Sequence, residues 1–153
     1  MAMNVLDAIE RAKENESIRS LKDFFLGSAF TCIKNNEEIS NWTVLFYNPK
    51  TKKVLDCFVS DKFVTPGEET PAMDEIKELG TEGIKIPVEK ALETAKEGTK
   101  KSIVNIMISL HKKDAVLWSI GIVFADMFAL SVDIDAETGN ILKKEETSLI
   151  RRL

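Results

Sequence analysis

The stretch S102-I-V-N-I-M-I-S-L-H111, with V116-L-W-S-I-G-I-V-F124 and F128-A-L-S-V-D-I134 after it, decides the fold. Its apolar residues take alternate positions: Val104, Ile106, Ile108 and Leu110, then Val116, Trp118, Ile120, Ile122 and Phe124, then Phe128, Leu130, Val132 and Ile134. Alternation sends successive side chains to opposite faces of a strand. Three such runs with short polar breaks therefore read as an antiparallel sheet with one buried face. The breaks are H111-K-K-D114 and A125-D126. A further turn, D135-A-E-T-G139, returns the chain to a fourth strand at Ile141 to Lys144. Asp135 opens that turn, and Gly139 supplies a left-handed position. The buried face needs a cover, and P87-V-E-K-A-L-E-T-A-K-E-G98 supplies a short amphipathic helix. Val88, Leu92 and Ala95 form its apolar stripe, Pro87 suits a first helical position, and Gly98 stops it.

Working outward, the same unit reads as if used twice. V5-L-D-A-I-E-R-A-K-E-N15 matches V88-E-K-A-L-E-T-A-K-E-G98, and N48-P-K-T-K-K-V-L55 matches D135-A-E-T-G-N-I-L142, in the same order at offsets of 83 and 87 residues. In the first copy Asn4 is a good helix cap, and Val5, Ile9 and Ala12 form the apolar stripe. Residues 17–26 place Ile18, Leu21, Phe24 and Phe25 at helical spacing, so a helix is expected there. Strands follow near 28–35, 39–48 and 52–60, and Lys52 stands where the second copy has Gly139. Between the copies, residues 63–84 are rich in Pro, Gly, Thr and acids. They read as a linker with a short helix over 71–79, capped by Thr70 and stopped by Gly80. The expected architecture is α+β, with repeats at 1–62 and 85–153, each a short helix on an antiparallel sheet of three to four strands.

Composition narrows the function classes. The chain has 153 residues, 44% hydrophobic and 30% charged, with a formal net charge of −4. That balance argues against nucleic acid or an anionic membrane as the main partner. The N-terminal residues hold acids and no apolar signal region, and no run approaches the roughly 18 apolar residues of a membrane span. The two cysteines, Cys32 and Cys57, have no metal-site spacing and read as reduced residues near the core of a cytoplasmic protein.

The helix with A91-L-E-T-A-K96, the strand carrying L117-W-S-I120, and V132-D-I-D-A-E-T-G-N-I-L142 together resemble the PepSY family. The likeness covers about 60 residues of the second copy. The first copy keeps the helix, Thr51 and the Val54–Leu55 pair but lacks the Asp and Gly. The resemblance implies a cystatin-like fold and a binding or regulatory role, with peptidase inhibition proposed for some members. No export signal and no peptidase domain are expected from these residues, which sets the chain apart from that setting.

Few residues point to catalysis. Asp135, Thr138 and Gly139 form the family's turn motif, and turn chemistry alone accounts for them. His111, the single histidine, has no neighbouring nucleophile in sequence. The acid pairs Glu37/Glu38 and Asp74/Glu75 lack the oxygen-rich loop of a calcium site. No catalytic residue, cofactor or metal is expected. The candidate partner or ligand surface comes from aligning the third strands of the two copies. That alignment turns Trp42, Val44 and Phe46 outward, and Phe30 and Phe58 extend the patch. Its cover is another part of the chain, a second chain such as the other copy of a homodimer, or a small apolar ligand or peptide. A register shift of one residue would exchange the faces. The expected function is non-enzymatic binding or regulation of a protein or peptide. The alternative is a small-molecule binder or enzyme with its pocket between helix and sheet.

Overall fold

The computed structural model describes residues 2–150. The first half carries helices α1 (Val5–Glu14) and α2 (Glu16–Arg19), then strands β1 (Phe25–Lys34), β2 (Asn41–Asn48), β3 (Lys53–Ser60) and β4 (Val64–Pro71). A single 3₁₀ turn at Thr81–Gly83 leads to α3 (Val88–Lys96), β5 (Ile103–Lys112), β6 (Val116–Phe124), β7 (Phe128–Asp135) and β8 (Ile141–Ser148). All eight strands join one antiparallel sheet in the order β4-β3-β2-β1-β5-β6-β7-β8.

This arrangement corrects the α+β expectation of two PepSY-like, cystatin-like repeats with separate small sheets. The chain is β-rich, with short helices set on one continuous sheet. The seam is the β1–β5 pair, in register from Ser28↔His111 to Lys34↔Asn105. Two four-stranded sheets would each leave a row of backbone N–H and C=O groups unpaired along that edge, and joining them satisfies both rows. Nor does the 48–55 match to 135–142 relate equivalent elements, since the first stretch joins β2 to β3 and the second joins β7 to β8.

Two expected helices also give way. Residues 17–26 yield only the four-residue α2, and β1 begins at Phe25, where Phe25 and Leu26 pair with Tyr47 and Phe46. Tertiary pairing overrides a local periodicity that has only two turns to sustain it. No helix forms over 71–79, because β4 runs to Pro71 at the sheet edge, where a missing N–H is tolerated. The chain then follows one end of the sheet, where Leu79 N–H donates to the Leu26 carbonyl and Ile86 N–H to the Ala136 carbonyl.

The helices cover one face, α1 over β2 and β3 and α3 over β6. Small residues let them approach closely, with Ala8, Ala12, Ala91 and Ala95 all fully buried. Beneath them a row of directly paired residues crosses the sheet: Cys57, Val44, Ala29, Leu110, Trp118 and Ile134. Every one of these is fully buried. The expected caps appear with one change of position. Asn4 Oδ1 accepts from the Leu6 and Asp7 N–H groups, Pro87 is the cap of α3 rather than its first residue, and Gly98 follows that helix at φ +80°. Among the described residues, no helix is long and apolar enough to cross a membrane.

Candidate functional site

The helices leave the opposite face of the sheet open. Two neighbouring rows of in-register residues run across its middle. One is Phe58, Thr43, Phe30, Ser109, Ser119 and Asp133. The other is Cys32, Met107, Gly121 and Ser131. Both contribute to a cavity of about 700 Å³ on this face, which lies within the range of small-molecule sites. Gly121 keeps its floor low: a Cβ there would meet Met107 Cε at 3.5 Å, so a longer side chain would fill the depression.

The cavity is polarised. Towards β1 and β5 it is apolar, with Phe30 42% and Met107 54% exposed. Towards β6 and β7 it carries hydroxyls and one carboxylate, and Ser119 Oγ donates to Asp133 Oδ1 at 2.7 Å. Lys143 is opposite Asp133 in register, but its Nζ lies 3.8 Å from Glu145 Oε2. Among the described residues no ion pair engages Asp133.

Further along β5, His111 Nδ1 lies 3.1 Å from Ser109 Oγ. Burial pushes the imidazole below its ordinary pKa and the Lys113 charge adds to that, while Asp133 opposes it. The pair has the spacing of a nucleophile and its base, but the acid that would orient the base is elsewhere, since the Asp133 hydrogen bond goes to Ser119. The β5 backbone groups beside Ser109 are in the β1 and β5–β6 ladders, so the geometry offers no preorganised oxyanion donors there.

The predicted surface divides. Phe30 and Phe58 are on the open face, at 42% and 41% exposure. Trp42, Val44 and Phe46 are not: they lie in the core beneath the helices, with Trp42 and Val44 fully buried. The alignment that turned them outward compared β2 with β7. The residue that shares Trp42's situation is Trp118 of β6, and a comparison with that strand exchanges the faces. Asp135, Thr138 and Gly139 build the β7–β8 turn. Asp135 Oδ1 accepts from the Glu137 and Thr138 N–H groups, Thr138 Oγ1 accepts from Asn140 N–H, and Gly139 has φ +83°. Among the described residues, no three His, Cys, Asp or Glu side chains cluster as metal ligands would.

The sequence reading overlooked Met107, Ser109, Ser119, Gly121, Ser131 and Asp133. Their signal lay in the same three runs, in the residues between the apolar ones. Ser109, Ser119, Gly121 and Ser131 are small or hydroxylated at alternate positions of successive runs, as a sheet face that leaves space would require, with Met107 and Asp133 beside them.

No protein-family model matches the chain, and no curated protein matches it in sequence. Among solved structures it is similar to a protein of Clostridium difficile 630 that is provisionally described as a lipoprotein. The two share a TM-score of 0.66 and 18% identity, over 95% of this chain and 93% of the other. At that identity the likeness concerns the fold alone.

Proposed function

We propose that this chain is a non-catalytic binding protein whose open sheet face takes a small amphipathic molecule. The observation that carries this reading is the polarised cavity of about 700 Å³ over Phe30, Met107 and Gly121, with Ser119 and Asp133 at its far side. A mostly apolar hollow with a few convergent polar groups is the usual form of a small-molecule site. It lies on the face away from the helices, not between helix and sheet.

The sheet edges favour the face over strand addition as the place of binding. β4 carries Pro66, Gly67 and Pro71, and β8 carries Lys143, Lys144, Glu145 and Glu146. Prolines and dense charge discourage another strand from pairing there. A reducing compartment such as the cytoplasm suits the two unpaired cysteines, which lie on opposite faces of the sheet.

Native mass spectrometry of the purified chain tests the reading, with Gly121→Leu and Phe30→Ser as comparisons. The expected result is a monomer carrying a small adduct, which is lost in Gly121→Leu at an unchanged urea midpoint. A dimer that Phe30→Ser dissolves would overturn it and identify the face as a contact between copies. So would an adduct retained in full by Gly121→Leu.

A further inference from the structure

We infer that the occupant of this cavity is a linear amphiphile with a cationic amine, its apolar end on Phe30 and Met107 and its ammonium on Asp133. This rests on the cavity being a ligand site and adds the chemical class of the ligand.

The two ends are positioned by register. Phe30, Ser109, Ser119 and Asp133 are direct neighbours on β1, β5, β6 and β7, so the aromatic ring and the carboxylate are three strand spacings apart, roughly 14 Å. Gly121 and Ser131 run beside that line and leave it unobstructed. A ligand reaching from one end to the other is therefore elongated.

Charge decides its polar end. An ionised carboxylate only accepts hydrogen bonds, and it has room for several donors. Asp133 receives one, from the Ser119 hydroxyl, and no ion pair among the described residues engages it. A ligand ammonium would add charge-assisted hydrogen bonds there, whereas a ligand carboxylate would meet a like charge. The serine hydroxyls along the way can accept from an ammonium or donate to a carboxylate, so they do not discriminate.

The competing case is an anionic head group near Lys77, Lys112 and Lys113. Those lysines border a separate hollow of about 390 Å³ that shares only Ser109 with the larger one. Glu75 lines it too, and Lys77 Nζ already donates to the Lys113 carbonyl at 3.1 Å. His111, which lines the smaller hollow, adds little positive charge at neutral pH because burial favours its neutral form. The anionic alternative therefore has the weaker support.

Calorimetric titration at low ionic strength with octylamine, octanol and octanoate tests the inference on the wild type, Asp133→Asn and Gly121→Leu. Asparagine keeps an acceptor for Ser119, and a urea midpoint checks that the variant is folded. Octylamine should bind about tenfold more tightly than octanol, and octanoate most weakly. Asp133→Asn should bring amine and alcohol to near parity by weakening the amine more than the alcohol, and Gly121→Leu should weaken all three. Equal binding of amine and alcohol by the wild type, a preference that survives Asp133→Asn, or tighter binding of octanoate would each overturn the amine assignment while leaving the cavity a binding site. Binding of none of the three would remove the cavity reading itself.

Discussion

The indole rings of Trp42 and Trp118 meet beneath the two main helices, 6.1 Å between centroids and 48° between planes. Each indole N–H donates at 2.9 Å to a main-chain carbonyl two residues ahead of a helix, Trp42 to Met3 before α1 and Trp118 to Ile86 before α3. One aromatic pair thus ties both helix entrances to the two halves of the sheet. Trp42→Ser should cost about 3–5 kcal/mol, as for other large aromatic residues removed from a core. Trp118→Phe should cost less, about 1 kcal/mol for the lost hydrogen bond plus a small packing loss. Because the rings pack together, combining Trp42→Phe with Trp118→Phe should depart from the sum of the two single changes. Urea denaturation measures all of these, and an unchanged midpoint for Trp42→Ser would contradict its place in the core.

Among the residues held in the left-handed region are Lys52, at φ +58° after β2, and Gly139, at φ +83° after β7. The lysine bears a steric cost that glycine escapes, so Lys52→Gly should stabilise, by up to about 1 kcal/mol after the added chain entropy of glycine. Gly139→Ala should destabilise by about 1 kcal/mol, since its Cβ would also stand 3.4 Å from Ile86 Cδ1. Denaturation midpoints that move in opposite directions would bear this out. Shifts of the same sign would refute it.

The lowered pKa of His111 sets a pH dependence. Burial, then the Lys113 charge, disfavours the imidazolium in the folded chain, with Asp133 acting the other way. Protons then bind the unfolded chain more readily, so this contribution to stability is complete above the ordinary value of 6.5 and is lost as pH falls through the lower folded value. His111→Gln should remove that part of the acid-side decline. An NMR titration of the imidazole should give a midpoint below 6.5 in the wild type, and a lower one still in Asp133→Asn.

The middle of the second half of the sheet was legible. Ile106, Ile108, Leu110, Trp118, Ile120, Ile122, Leu130, Val132 and Ile134 are buried as their alternation implies, whereas Val104, at the irregularity between Ile103 and Asn105, and Phe128, at the start of β7, are exposed. The start of β1 was less so, because Phe24, Phe25 and Leu26 form an apolar run without alternation, which periodicity alone cannot assign. The turn match misled for a physical reason as well. An Asx residue followed by a left-handed position suits any hairpin of this type, so the two turns are alike without joining equivalent strands. That false correspondence turned Trp42 outward. The cavity was half visible, through Phe30, while Gly121 and Asp133 looked like ordinary surface residues.

By itself, then, the sequence determined the alternating strands β5, β6 and β7 and the caps of α1 and α3, since these follow from backbone geometry within a few residues. Only the tertiary structure decided that β1 pairs with β5 to make one sheet, and which face of it the helices cover. Strand pairing depends on hydrogen-bonding edges far apart in the chain, and a face is a core only once something lies on it. The open cavity between Phe30 and Asp133 exists because those two long-range choices left the other face bare.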